Sequence, residues 1–323
     1  MSRKNENKKG ANGAGSIRKI TTTHNSKEYT YWQGRYTEGY DACTGKQIQR
    51  SITGKTQKEV AQKLRQITAE VDAKTYVAPC KLSISEWMSI WAQDCLVGVK
   101  ASTAYLYRRT IELYIDPHLG HIRLDALNAH TVQHFYNEHA KPLKPDAAPL
   151  SAKSIKNIHG VLHKALKQAV LIGYLRTNPT EACILPRIIR KEMHPLEEDQ
   201  VAVFLRKVQG HPHEYLYKIA LFTGLREGEV LGLGWEHIDF QAGTLTVKRQ
   251  LRREQKKGGE YYFSPPKNNK SRCLTLAPSV IQLFRLQKLE QNSMRMETCD
   301  AWEGHGLIFT NQTGGYLSYR TVY

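Results

Sequence analysis

The sequence predicts a multidomain α+β chain. Its expected parts are a small three-stranded β-sheet with one helix, an all-helical domain, and a mainly helical domain holding a second three-stranded sheet. Three observations predict it. Alternating strand-like runs rich in Tyr, Trp, Ile and Thr occur near residues 16–53 and again after residue 243, whereas the stretch between carries apolar residues at helical spacing. Proline-bearing breaks, "TYVAPCKLS" at 75–83 and "NPTEACILP" at 178–186, separate these regimes. The length, 323 residues at 40% hydrophobic, suits two or three cores on a prior of about 150 residues per domain. The expected boundaries are a basic arm over 1–15, a sheet domain over 16–76, a helical domain over 80–180 and a last domain over 187–323.

Taken in order, residues 1–15 are polar and basic and run into "GANGAGS", which reads as a flexible linker. Its glycines follow no strand, so a nucleotide-binding loop is not indicated. "SIRKI", "EYTYWQGRY" and "KQIQRSIT" read as three strands, with turns at Asn25-Ser26 and "DACTGK". Tyr29, Tyr31, Trp32 and Tyr36 are expected to form the core of this sheet. Arg18, Lys19, Arg35 and Arg50 are its candidates for binding a polyanion, the sheet face left open. Thr56 and Glu59 form a capping box ahead of Val60, Leu64, Ile67 and Val71 at helical spacing. The "GKT" at 54–56 lacks the earlier glycine of a phosphate-binding loop, because Gln49 stands there.

Ser83 and Glu86 repeat the capping box before "WMSIWAQDCL", and further helices fit "STAYLYRRTIELYI" and "AHTVQHFYNEH". The three prolines of "KPLKPDAAP" make a loop. In the helix that follows, Lys153, Lys156, Lys164 and Lys167 fall within about 80° of one another at 100° per residue. Ile155, Ile158, Val161, Leu162, Ala165, Leu166 and Ala169 take the opposite side. A solvated surface normally mixes signs, yet residues 147–180 contain no Asp or Glu, so this stripe reads as facing a polyanion.

Charge over the whole chain agrees. Lys and Arg number 47 against 30 Asp and Glu, a formal net charge of +17, which suits nucleic acid. No apolar run approaches the roughly 18 residues needed to span a bilayer, and "MSRKNENKKG" has no hydrophobic core for a signal peptide. The six cysteines include no C-x-x-C pair, so neither a zinc site nor a disulfide framework is indicated. The expected setting is a reducing bacterial cytoplasm, in association with the nucleoid. Glu197, Glu198 and Asp199 read as helix-start charges for "HPLEEDQVAVFLRKV", with a metal cluster, and hence a metal-dependent nuclease, as the competing reading. His211 and His213 read as an exposed loop pair.

"LFTGLREGEVLGLGWEHIDF" at 221–240 sets Arg226 into an apolar stretch. Arginine is rarely buried unpaired, so an anion is required. Gly224 is suited to cap the helix before it, and a second helix starting at or just after Leu225 places Arg226 in its first turn, with free N–H groups beside the guanidinium. Glu229, three residues on, shares its side and can orient it. A surface arginine merely paired with Glu229 is the bland alternative.

This segment resembles the first arginine box of the tyrosine recombinases, the phage-integrase family, with Trp235 and Asp239 in register. "GTLTVKRQ", "EYYFSPPKNNK" and "SRCLTLA" read as three strands, and "PPKNNKSRCLTL" resembles the family's lysine-bearing β-hairpin, with the catalytic lysine at Lys267 and Lys270 or Arg272 as alternatives. "GLIFTNQTGGYLSYRTVY" is similar to the stretch leading to the second box. The upstream organisation resembles integrases of conjugative transposons and related phages: an arm-site sheet domain, a SAM-like core-binding domain and a catalytic domain. The resemblance implies double-stranded DNA, at arm-type and core-type attachment sites, as partner and transesterification through a 3′-phosphotyrosyl bond. Arg226 would bind phosphoryl oxygens and Lys267 would protonate the leaving 5′-oxygen. It implies no cofactor and no metal, and a homotetramer on DNA.

The second box, His-x-x-Arg followed by the nucleophilic Tyr, is not found after Lys267, where His305 is the only histidine. Tyr316, Tyr319 and Tyr323 precede the place where it should begin. The chain is therefore expected to be C-terminally incomplete, to bind DNA without cutting it, and to contain no nucleophile. A non-catalytic DNA-binding regulator or remnant is the alternative function.

Overall fold

The computed structural model describes residues 15–323 except 25–26, 42–43, 74–75, 77, 79, 143–147, 191, 257, 268 and 323. The basic arm and the turn at Asn25-Ser26 thus lie almost wholly outside the described residues. The chain forms two compact units, Met1–Ile188 and Ile189–Tyr323.

In the first unit, strands β1 (Ser16–His24), β2 (Lys27–Tyr40) and β3 (Gln47–Gly54) form an antiparallel sheet in that order. Helix α1 (Gln57–Asp72) follows, with Thr56 Oγ1 accepting the Glu59 N–H at 3.2 Å and Glu59 accepting the Lys55 N–H at 3.1 Å. The helix covers one face. Gly34 lies so close beneath it that a Cβ there would stand 2.9 Å from Val60 Cγ1. Tyr36, Val60 and Leu64 are buried.

Strand alternation then fixes the expected core and basic residues. Tyr29 and Tyr31 have the opposite parity to Gly34 and Tyr36, and Tyr29 is 54% exposed, so the expected aromatic core is corrected: of the four only Tyr36 is buried, with Tyr31 and Trp32 half-buried. Directly paired residues share a face, so Arg18, opposite Gln33, joins Arg35 on the face away from α1. Lys19 pairs with Trp32 and Arg50 with Tyr36, which puts both on the helix side. Arg50 is also bound to Glu38 at 2.7 Å.

The rest of this unit is helical: α2 (Ile84–Asp94), α3 (Ala101–Thr110) running through a π-turn at Ile111–Ile115 into α4 (Asp116–Leu119), α5 (Ala129–His139) and α6 (Ala152–Leu171). The Ser83–Glu86 capping box is present, Ser83 N–H donating to Glu86 Oε2 at 2.7 Å. The buried residues of α6 are the seven apolar positions that its spacing singles out. They pack on Trp87, Met88, Val132 and Phe135, and the Trp87 Nε1–H donates to the Ala165 carbonyl at 3.1 Å.

In the second unit, α7 (Glu198–Lys207) and α8 (Glu214–Thr223) precede α9 (Glu227–Leu231). Then come β4 (Ile238–Asp239), β5 (Thr244–Val247), β6 (Gln250–Arg253), β7 (Tyr261–Ser264), β8 (Arg272–Thr275), α10 (Pro278–Thr298) and the short α11 (Tyr319–Val322). The sheet order is β4-β5-β8, while β6 and β7 pair separately. The three strands expected after residue 243 therefore do not form one sheet. "EYYFSPPKNNK" pairs with β6, "SRCLTLA" pairs with β5, and Lys267 lies in the connection between the two sheets instead of in a hairpin. Leu245, Val247, Leu251, Phe284 and Ile308 fill the core between these strands and α10.

Candidate active site

Gly224 ends α8 with φ 62° and ψ 22°, the left-handed conformation that glycine adopts without steric penalty. This turn aims the chain at α9. Arg226 has extended backbone angles, φ −70° and ψ 148°, and is the residue before the helix, not part of its first turn as expected. The reason is Glu229, whose Oε2 takes the Arg226 N–H at 3.0 Å. The Glu229 and Val230 N–H groups both donate to the Arg226 carbonyl, at 2.8 and 2.9 Å, so neither is left for an anion.

Two glycines one helical turn apart seat α9 on β6. A Cβ on Gly232 would stand 2.7 Å from the Leu251 nitrogen, and one on Gly228 would stand 3.1 Å from both the Leu251 carbonyl and the Tyr319 hydroxyl. No side chain fits at Gly232 and the approach at Gly228 is tight, which accounts for two of the three glycines of the "REGEVLGLG" run.

Glu229 is 1% exposed, the most deeply buried acid of the site. Arg272, at the start of β8, grips it with both ends of its fork: Nη1 donates to Oε1 at 3.0 Å and Nη2 to Oε2 at 2.7 Å. Arg226 Nη1 adds a third side-chain contact, to Oε1 at 3.1 Å. Arg272 above all holds the Glu229 carboxyl down at about 2, helped by the Arg226 N–H and opposed by burial. The Arg226 side chain remains 63% exposed.

Arg226 opens onto a cleft of about 420 Å³ that Glu227, Gln250, Arg252, Arg253 and Tyr319 also line. The Tyr319 hydroxyl donates to the Leu251 carbonyl, and burial pushes its pKa up to about 12. Both effects oppose its ionisation. Gln250 also ties the next segment in place, its Nε2 donating to the Pro265 carbonyl at 2.6 Å. That segment carries Lys267, which is exposed, and ends at Arg272. The structure thus joins Arg226 and Glu229 directly and brings the Lys267 connection to the same carboxylate through Arg272. Around Trp235, Gln291 Oε1 accepts the indole N–H at 2.7 Å and Lys288 lies over the ring.

Of the α6 lysines, Lys153 and Lys167 are exposed and Lys156 is half-buried. Lys164 donates to the Tyr107 hydroxyl at 2.9 Å. Among the described residues there is no group of three or more metal-capable side chains. Glu198 and Asp199 occupy the first turn of α7. No helix of the described residues is long and apolar enough to cross a membrane.

Sequence reasoning noted Arg272 only as a substitute for Lys267 and missed Arg252 and Arg253. A signal existed for Arg272: in "RCLT" it alternates with Cys273 and shares the inward side with Leu274. Nothing local marked Arg252 and Arg253, because their place depends on which strand pairs with β7.

Chemically, three guanidinium groups on one cleft suit an anion with several acceptor oxygens, such as a phosphodiester. Residues 83–139 match the phage integrase N-terminal SAM-like domain and residues 192–323 match the phage integrase family. The chain belongs to the phage integrase family, the tyrosine recombinases. It is similar to an integrase of Streptomyces ambofaciens, 25% identical over 299 residues covering 90% of this chain and 74% of that protein. It is also similar to a tyrosine recombinase XerC-like protein of Caldanaerobacter subterraneus subsp. tengcongensis, 25% identical and covering 93% of this chain and 79% of that one. Its fold resembles that of the Tn1549 transposon integrase solved in complex with a circular intermediate DNA, with a TM-score of 0.60 and 22% identity over 73% of this chain and 74% of that one.

Proposed function

We propose that this chain binds DNA and activates a DNA phosphate as a site-specific recombinase that integrates or excises a mobile element. Arg226 is assigned to a non-bridging oxygen of the scissile phosphate, and Lys267 is assigned as the acid that protonates the leaving 5′-oxygen. Negative charge gathers on the phosphoryl oxygens in the transition state, and fixed donors that bind it better there than in the ground state lower the barrier. The observation that carries this reading is the cleft at Arg226: three arginines line it against one acid, Glu227, and the buried Glu229 that holds Arg226 is already paired with Arg272, so the cleft keeps a net positive charge for an anion.

Double-stranded DNA is the partner that fits the remaining basic surfaces. Arg18 and Arg35 share the open face of the N-terminal sheet, and a sheet can enter the major groove. Lys153, Lys156, Lys164 and Lys167 form the stripe on α6. The similarity to an integrase solved on circular intermediate DNA supports the same partner here. The domain limits 16–76, 80–180 and 187–323 are part of this proposal, as is a homotetramer on DNA. No tyrosine within residues 1–323 is assigned as nucleophile, since no His-x-x-Arg motif follows Lys267. Tyr319 in particular is occupied with the Leu251 carbonyl.

Fluorescence anisotropy with a labelled duplex tests the reading, together with a strand-cleavage assay. Binding is expected to fall with salt at a slope of about 0.9 per phosphate neutralised, and Arg226→Ala to weaken it. No covalent adduct is expected. Magnesium-dependent nicking abolished by EDTA would overturn the reading in favour of a nuclease.

A further inference from the structure

We propose that Arg272 is a positioning residue: it takes over the charge of Glu229 so that Arg226, held by the same carboxylate, keeps its own charge for DNA phosphate. This rests on the reading of Arg226 as a phosphate ligand. A carboxylate buried as deeply as Glu229 demands a counter-charge, and either arginine could supply it. The geometry divides the work unequally. Arg272 meets both oxygens in parallel, at 3.0 and 2.7 Å, the two-pronged arrangement that planar guanidinium and carboxylate groups favour. The Arg226 side chain touches only Oε1, through Nη1 at 3.1 Å, and its backbone N–H adds a contact to Oε2 at 3.0 Å. Glu229 therefore fixes where Arg226 sits, while Arg272 balances what Glu229 carries.

The cluster of two arginines and one carboxylate has a net charge of +1, and the more exposed of the two guanidinium groups is that of Arg226, at 63% against 36%. Pairing with Val247 on β5 anchors Arg272 at the start of β8, so its placement depends on the sheet and not on the loop before it. Without Arg272, Arg226 becomes the sole counter-ion of Glu229, and the cluster presents no net charge to the cleft.

The test is the affinity of the full 323-residue chain for a labelled mixed-sequence duplex, with thermal unfolding of every variant as a folding control. Arg226→Gln and Arg272→Gln are each expected to weaken binding by about tenfold, the scale of one hydrogen bond to a charged group. Because they act on one contact, the double variant Arg226→Gln/Arg272→Gln is expected to bind no more weakly than either single. Glu229→Gln combined with Arg272→Gln is expected to restore affinity to within about threefold of the parent, since the charge that needed Arg272 is gone. Losses that multiply in the first double variant, or no recovery in the second, overturn the proposal and make Arg272 a direct DNA contact or a purely structural residue. If Arg226→Gln weakens binding and Arg272→Gln does not, the positioning role alone falls. If Arg226→Gln has no effect, the phosphate assignment falls and takes this role with it. Should Arg272→Gln fail to fold, the Glu229→Gln/Arg272→Gln variant decides: a loss as deep as that of Arg226→Gln overturns the proposal.

Discussion

Replacing Glu229 by Gln keeps the shape of the side chain and removes its charge, so it isolates the electrostatic part of the cluster. The carboxyl sits at about 2 in the folded protein against an ordinary 4.5, a depression caused first by the Arg272 fork. At 1.36 kcal/mol per pKa unit, that depression corresponds to about 3 kcal/mol of stability at neutral pH. A depressed carboxyl stabilises the fold when ionised. The contribution is therefore complete above about pH 4.5 and is lost as pH falls toward 2. Glu229→Gln is expected to lose about 3 kcal/mol at pH 7 but only about 1.4 kcal/mol at pH 3, where the carboxyl is protonated in the unfolded chain and still mostly ionised in the folded one. Amide hydrogen exchange followed by mass spectrometry on the peptide around α9 reads this in the full chain. Protection should drop by a few hundredfold at pH 7 and by about tenfold at pH 3, after correction for intrinsic rates. An equal loss at both pH values would show that fit and not charge holds the cluster. A loss below about 1 kcal/mol at pH 7 would refute the buried ion cluster itself.

Three further outcomes follow from packing, backbone and charge. Leu166→Ala empties a fully buried site of α6 and is expected to cost 2–5 kcal/mol in urea unfolding, on the scale of core truncations of this type. Gly224→Ala places a Cβ at φ 62°, with open space around it, so the cost is the backbone strain alone, about 1 kcal/mol by thermal unfolding. Lys167→Gln is expected to reduce the salt slope of DNA binding by about one, whereas Lys164→Gln should reduce it less, because Lys164 is already bound to the Tyr107 hydroxyl.

Local pattern carried far in the helices and less far in the sheets. The seven apolar positions of α6 were readable from their spacing because a helix buries one face, and that face recurs every 3.6 residues. Thr56, Ser83 and Gly224 were readable because capping is decided within four residues. Tyr29 was misplaced because aromatic content marks a strand without saying which side the helix will cover, and only register against Gly34 and Tyr36 decides that. The division of the strands after residue 243 between two sheets was not readable for the same reason: β8 pairs with β5 across the whole β6–β7 hairpin, and no periodicity encodes such a crossing.

The site shows the same split. Arg226 and Glu229 stand three residues apart, and their pairing was legible in the sequence. Arg272 lies 43 residues from Glu229, and its contact exists only once β8 has docked beside β5. Glu229 was expected to orient Arg226 alone; the structure makes it a shared anchor for two arginines, one of which closes the sheet.

The most direct measurement is a phosphate-neutralisation scan, in which each backbone phosphate of a bound duplex is replaced in turn by an uncharged methylphosphonate. For the parent chain, several positions are expected to weaken binding, and at one of them Arg226→Gln should be insensitive to the replacement while remaining sensitive at the others. Identical sensitivity profiles for the two proteins would show that the Arg226 guanidinium does not meet a DNA phosphate.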